Sequence, residues 1–285
     1  MNVMINALSA QLGGGQTYLR NLLERTPERT DLCIYILCDD SLRLPPGRSN
    51  IHRVKPRWPT KQPLSRTIWE YLWLPGLLRR LDIDVLFCPG GLLSRWLPVS
   101  CKTITMFRNM LPFVPRLHAR YSWGWARLRL WILAKILLGS IQRADHAIFI
   151  SEHGRQVIEG LTPTPLKGTS VIYHGLGERF KTSDREGMDP PVVAAGTEYL
   201  AYVSIFDYYK NQVEVVRAFD LVKRSRPTRE KLLLVGPDHS PYSALVRREI
   251  RDLGLDGDVV VTGSVPYEDL PGLYAHAKLN IFASD

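Results

Sequence analysis

In Tyr208-Tyr209-Lys210-Asn211-Gln212 an ammonium group falls just after an apolar run, 199–204, and just before a helical pattern, 212–225. A cation at the mouth of a parallel sheet, beside the N–H groups that open a helix, is placed to neutralise a diphosphate. The plainer reading of the same stretch is a solvated lysine with Asn211 capping the helix. Near the start of the chain, Gly13-Gly14-Gly15 separates a strand-like run, 2–9, from a helical one, 16–25, whose Tyr18, Leu19, Leu22 and Leu23 recur at helical spacing. Glycines at such a junction let the backbone approach an anion closely, and the helix start adds favourable partial charge. A tight turn without a ligand is the alternative. The spacing is not G-x-G-x-x-G, because Tyr18 stands where the third glycine belongs, and no Lys-Ser/Thr pair follows. Asp39 and Asp40, after the next strand, imitate the ribose-binding acid of a dinucleotide site.

The elements that must carry these residues alternate between strand and helix. Buried β-rich runs are predicted at 32–37, 85–88, 103–107, 147–150 and 170–173, with helices at 69–81 and 152–160. A polar, proline-bearing stretch, 181–197, then reads as a linker between a first domain, 1–180, and a second, 198–285. The second domain repeats the alternation: strands at 199–204, 231–235, 259–262 and 279–283, helices at 212–225, 242–253 and 267–276. Strands separated by helices predict an α/β protein with mostly parallel sheets covered on both faces. The strand at 279–283 is read as buried. It delivers Ser284 and Asp285 to the sheet edge at which ligands of open α/β sheets bind, so the second domain is expected to be incomplete at Asp285.

Composition supports two globular cores: 45% hydrophobic, 9% aromatic and 23% charged residues exclude a disordered or fibrous chain. Cys33, Cys38, Cys88 and Cys101 lie in or beside apolar runs and lack zinc-site spacing, which suits reduced thiols in a cytoplasmic protein. Met1 leads directly into a strand, with no export signal to be read. The net charge of +9 is uneven, since residues 198–285 hold 11 Lys and Arg against 13 Asp and Glu, leaving 26 against 15 in residues 1–197. No acidic residue lies between Asp84 and Asp145, a stretch containing Arg95, Lys102, Arg108, Arg116, Arg120, Arg127, Arg129, Lys135 and Arg143. A second acid-free stretch spans 41–69. Such single-sign surfaces favour anionic partners.

Several short motifs occur in one order: Gly13-Gly14-Gly15, Val171-Ile-Tyr-His-Gly175, Tyr202-Val-Ser204 with Lys210-Asn211, Leu233-Leu-Val-Gly236-Pro237, Val261-Thr-Gly-Ser264-Val265 and Leu270-Pro-Gly-Leu-Tyr-Ala-His-Ala277. In that succession the chain resembles the retaining glycosyltransferases of family 4, two Rossmann-like domains with parallel sheets facing a cleft, the GT-B arrangement. The resemblance spans nearly the whole chain and is strongest from Tyr199 onward. It implies a nucleotide-sugar held mainly by the second domain, the glycine loop approaching the donor, and Lys210 contacting the diphosphate as charge develops on the leaving nucleotide. It implies further that Ser264-Val265 belongs to the loop meeting the base, that Gly236-Pro237 lies at the neighbouring strand end, and that no cofactor or metal is needed.

Three departures qualify what is carried over. The family's arginine shortly before the lysine is missing, since the matching stretch reads Ser204-Ile205-Phe206-Asp207, so neutralisation rests on Lys210 with help from Arg108. The family's histidine after the strand 103–107 is replaced by Arg108, followed by Asn109, and both are expected to face the cleft, a simple turn being the alternative. The family's Glu-x7-Glu motif would follow Asp285 and is not in the chain, which predicts an incomplete fragment.

On the acceptor side, Trp123, Trp125 and Trp131 sit among the arginines of 111–143, around an apolar run, 128–141, too short and too charged to span a bilayer. Indoles with arginines suit the headgroup zone and predict peripheral attachment to an anionic inner membrane face, with a glycan or lipid-linked acceptor in cell-surface polysaccharide or glycolipid synthesis. The competing picture is a helix pair covering the sheet, tryptophans in the core and arginines in water. Two rival functions remain: a nucleotide-sugar epimerase, for which Glu152-His153 is a candidate adjacent acid–base pair, and a non-enzymatic polyanion binder. No nucleic-acid-binding signature is present, so nucleic acid is not an expected partner.

Overall fold

The computed structural model describes residues 1–10, 14–60, 62–94, 97, 100–121, 124–181, 196, 198–226, 228–238 and 241–284. Gly13, Arg95, Trp123, Asp285 and most of the predicted linker, 182–195 and 197, lie outside the described residues. In chain order the elements are β1 (Asn2–Asn6), α1 (Gly14–Arg25), β2 (Cys33–Leu37), β3 (Ile51–Val54), α2 (Pro63–Leu72), α3 (Leu74–Arg80), β4 (Val85–Cys88), β5 (Lys102–Phe107), α4 (Pro115–His118), α5 (Trp125–Arg143), β6 (His146–Phe149), α6 (Glu152–Leu161) and β7 (Thr169–Val171). They continue with β8 (Tyr199–Val203), α7 (Gln212–Ser225), β9 (Lys231–Val235), α8 (Pro241–Asp252), β10 (Val259–Gly263), α9 (Leu270–His276) and β11 (Leu279–Asn280). Two compact units result, one made of Met1–Val114 and Gly124–Gly175, the other of Pro115–Trp123 and Leu176–Asp285.

In the first unit seven strands, among the described residues, form a parallel sheet in the order β3-β2-β1-β4-β5-β6-β7. Alternation along each strand sorts its side chains to two faces. Ile5, Ile34, Ile36 and Phe87 pack with Leu19 and Leu23, one helical turn apart on α1. Met4, Leu37, Leu86 and Cys88 face the other way, onto Trp69 of α2, Leu74 and Leu78 of α3, and Ala144 just past α5. Farther along, Ile141 of α5 and Ile158 of α6 close over Phe107 and Phe149. Ser151 starts α6 by accepting the Gly154 N–H at 3.1 Å. Cys33, Cys38, Cys88 and Cys101 are free thiols, all but Cys33 buried, and burial raises the pKa of each of those three.

The second unit carries a parallel four-stranded sheet, again among the described residues, in the order β10-β9-β8-β11. Tyr202, Leu232 and Leu234 meet Val215, Val216 and Phe219 of α7 and Val246 and Ile250 of α8 on one face. Tyr199, Ala201, Leu233 and Val235 meet Leu273 of α9 on the other, where the Tyr199 hydroxyl donates to the Leu273 carbonyl at 2.8 Å.

Parallel α/β order is as the sequence predicts, and three details differ. The helix expected over 69–81 is two helices parted at Trp73, because Pro75 has no N–H to give the preceding turn. β3 is a strand that the sequence pattern does not predict. The strand expected at 279–283 is confined to Leu279–Asn280 and is not buried: β11 is an edge strand, Leu279 is 56% exposed and Phe282 79% exposed.

Candidate functional site

Each sheet reverses its winding once. In the first, the chain runs β1 to β3 in one direction and β4 to β7 in the other, so the reversal lies between β1 and β4. In the second, β8 to β10 run one way and β11 adds on the far side of β8. At such a reversal two neighbouring loops leave in opposite directions and open a crevice at the carboxyl edge. The sequence candidates gather at these two places.

At the reversal of the second sheet, Lys210 follows β8 and Ser284 follows β11. The Lys210 Nζ donates to Ser284 Oγ at 3.0 Å and lies 4.8 Å from the centroid of Tyr209 and 5.4 Å from that of Phe282. Burial lowers the lysine pKa, with Asp207 opposing the shift. No carboxylate forms an ion pair with it among the described residues. Asn211, in the left-handed region at φ 56°, links the same two loops through Nδ2, which donates to the Ala283 carbonyl at 2.6 Å. Beneath them the Tyr202 hydroxyl donates to the Lys210 carbonyl, and Gln212 opens α7 fully buried.

The other candidates line the same rim. Ser204 donates its N–H to the Val235 carbonyl at 2.8 Å, Gly236 donates to Gly263 at 2.9 Å, and the Pro237 carbonyl accepts from Phe206 at 3.2 Å. Gly236 has φ 144°, and a Cβ there would lie 2.1 Å from the Ser204 carbonyl oxygen, so only glycine fits. After β10, Ser264 is exposed while Val265 packs against the core of Tyr199 and Leu273. The sheet therefore brings Ser204, Lys210, Asn211, Gly236, Pro237, Ser264 and Val265 to one edge.

At the reversal of the first sheet, Gly14 and Gly15 open α1. A Cβ on Gly15 would sit 3.2 Å from Ala10 Cβ and 3.7 Å from an Arg108 guanidinium nitrogen. Arg108, leaving β5, lies 5.3 Å from the Tyr18 ring, and the His174 ring is 5.2 Å from that same tyrosine. Burial lowers the Arg108 and His174 pKa values, His174 further by the arginine's charge, while burial raises that of Tyr18 against the arginine's pull. Asn109 is exposed and accepts the Leu111 N–H at 3.2 Å, the role of a turn residue. Arg108 and Lys210 belong to different units. Glu152, the acid of the rival epimerase reading, is occupied by Arg155 and Gln156.

Two residues of the lysine loop's surroundings went unseen in the sequence, Arg120 and Tyr121. Arg120 Nη1 donates to the Tyr208 carbonyl at 3.0 Å and to Asn211 Oδ1, and the Tyr121 hydroxyl donates to Asp207 Oδ1 at 2.6 Å. Arg120 was legible only as one charge in an acid-free stretch. Among the described residues no three His, Cys, Asp or Glu side chains are grouped to hold a metal ion.

Two parallel doubly wound sheets, each with anion-compatible groups at its reversal, define an α/β protein of the paired Rossmann-like class. The chain belongs to the family 4, group 1 glycosyltransferases: residues 12–177 match Glycosyltransferase Family 4 and residues 185–285 match Glycosyl transferases group 1. It is thus a transferase of glycosyl groups. The comparison with curated proteins gave no match. Among solved structures it is similar to WaaG, a glycosyltransferase involved in lipopolysaccharide biosynthesis, at 13% identity and TM-score 0.68, covering 100% of this chain and 75% of that one. Anabaena HepE in complex with UDP and glucose matches at 15% identity and TM-score 0.66, covering 100% and 74%. Sucrose-phosphate synthase from Thermosynechococcus elongatus matches at 14% identity and TM-score 0.65, covering 100% and 75%. These likenesses show the GT-B fold.

Proposed function

We propose that the chain transfers a sugar, with retention of configuration, from a nucleotide-sugar to a glycan or lipid-linked acceptor in cell-surface polysaccharide or glycolipid synthesis. The observation that carries the reading is the Lys210 ammonium, half-buried at the β8/β11 reversal and hydrogen-bonded to the Ser284 hydroxyl. When the bond from the anomeric carbon to the diphosphate oxygen breaks, negative charge grows on the departing nucleotide. A fixed cation there stabilises the transition state more than the ground state. The UDP and glucose bound to HepE, a protein of the same fold, support a nucleotide-sugar donor. No metal or cofactor enters the proposal. Calorimetric titration of the chain with UDP-, GDP- and ADP-sugars tests it: one of the three is expected to bind, and binding of none removes the reading.

The proposal includes residence at an anionic inner membrane face. No described helix is long and apolar enough to cross a membrane. Support comes from α5, which turns Trp125, Leu128, Trp131, Ile132 and Ile136 outward, with Trp125 73% and Trp131 58% exposed. The tryptophans of this helix are therefore outside the core, contrary to the helix-pair picture. Arg127, Arg129 and Lys135 lie between them, and indoles flanked by cations suit a headgroup layer. On the same side of the sheet, α2 carries exposed Leu64, Ile68, Tyr71 and Leu72, with Trp58 and Trp73 stacked at 5.7 Å. The protein is expected to sediment with phosphatidylglycerol-containing vesicles and not with phosphatidylcholine alone, less so as salt rises. Trp125→Ala with Trp131→Ala should release it. Equal sedimentation with both lipids, or with neither, counts against the membrane assignment.

A further inference from the structure

We infer that Arg120 and Tyr121 are positioning residues for Lys210: a segment from the first half of the sequence grips both ends of the turn that presents the ammonium. The inference rests on the reading of Lys210 as the diphosphate ligand. The turn, Asp207 to Asn211, has no glycine although its last residue is left-handed, a conformation that asparagine tolerates better than most residues but does not prefer. Something must hold it. At its start, Asp207 Oδ1 accepts the Tyr208 N–H at 2.7 Å and the Tyr121 hydroxyl at 2.6 Å, and Tyr121 packs edge-on to Tyr208 at 5.2 Å. Burial first, then the bond to Asp207, holds the Tyr121 phenol well above its ordinary pKa, so the donor keeps its proton. At its end, the Asn211 amide is held from both sides, Oδ1 by Arg120 and Nδ2 by the Ala283 carbonyl. Between them Arg120 reaches the Tyr208 carbonyl.

The gripping segment has its own anchorage. Leu117 of α4 is buried, and the Arg120 and Tyr121 N–H groups close back on the Leu117 and His118 carbonyls at 3.1 and 3.2 Å. The segment lies within the span matched by family 4, yet it packs in the unit that carries Lys210. The arginine missing from 204–207 is thus answered by an arginine 90 residues earlier than the lysine it braces. Its guanidinium meets the turn's backbone and amide.

The test is a mutant cycle on the 285-residue chain, read as affinity for UDP, GDP and ADP by calorimetry, with melting temperature as the folding control. Arg120→Ala is expected to weaken the bound nucleotide about 10-fold, as removal of charge-assisted hydrogen bonds does. Arg120→Lys should recover part of the loss. Tyr121→Phe, which keeps the ring and loses only the hydroxyl, is expected to weaken it about 3-fold and remains informative if the alanine variant fails to fold. In a Lys210→Ala background, Arg120→Ala should have no further effect, because a residue acting through the lysine has nothing left to position. If Lys210→Ala weakens binding and neither Arg120→Ala nor Tyr121→Phe does, the inference falls while the lysine keeps its role. Additive losses overturn it too, since Arg120 would then meet the nucleotide directly. No binding by the unaltered chain, or none of it dependent on Lys210, removes the reading and the inference together.

Discussion

Lys210→Ala is expected to weaken nucleoside diphosphate binding by about 1 to 3 kcal/mol, as expected of a charged hydrogen bond, and to slow sugar transfer by about 10² to 10³-fold, as for loss of one preorganised transition-state donor. The ammonium is half-buried, with Ser284 as its hydrogen-bond partner and two aromatic rings close by. A partly desolvated cation interacts more strongly with phosphate than one in bulk water. The same burial has a pH signature. Desolvation, opposed by Asp207, lowers the pKa of Lys210, so the charge that attracts phosphate is complete at low pH and is lost as pH rises through that depressed value. Diphosphate affinity of the unaltered protein should therefore fall on the alkaline side earlier than for a free lysine, and Lys210→Ala should flatten that limb. Calorimetry across pH checks both, and identical alkaline limbs in the two proteins would contradict the assignment.

Gly236→Ala is expected to destabilise the second unit by more than about 4 kcal/mol, the range reserved for specific structural insults. A Cβ at this position meets the Ser204 carbonyl oxygen at 2.1 Å, its carbon at 2.7 Å and the Ile205 nitrogen at 3.3 Å, all backbone, and φ is 144°. Neither side can yield cheaply, because Ser204 is bonded to Val235 and Gly236 to Gly263 at the ends of three adjoining strands. With about 2 to 4 °C lost per kcal/mol in a chain of this size, the melting temperature should drop by roughly 10 °C or more. Gly257→Ala is the control, since a Cβ there meets nothing within 4 Å. Equal melting of the two variants would show that the strand ends are looser than their geometry.

Hydrophobic period and turn-forming residues make most elements readable in the sequence. The alternation in 231–235 sends Leu232 and Leu234 to one face and Leu233 and Val235 to the other, as their packing partners confirm. Ile51–Val54 escaped because it pairs with β2 alone and contains His52 and Arg53, so its pattern resembles that of a surface loop. The break at Trp73 is written in Pro75, whose missing N–H ends the preceding turn. At the site, position along the chain was enough to put Lys210 and Gly236 beyond strand ends. Partners distant in sequence were not available to such reasoning: Ser284, 74 residues from Lys210, and Arg120, 91 from Asn211, meet them only through the winding of the sheet and the path of one short segment.

The segment Pro115–Trp123 leaves its neighbours in sequence to join the other unit, so the chain passes between the units at 114/115 and 123/124 as well as at 175/176. A protein dissected between 182 and 195 would not yield two self-sufficient halves. The carboxyl-terminal piece would lack the hydroxyl and guanidinium that hold its own lysine turn, and the amino-terminal piece would keep a strap with nothing to grip. Complementation by mixing the two pieces, rather than study of either alone, is the form in which this architecture can be taken apart.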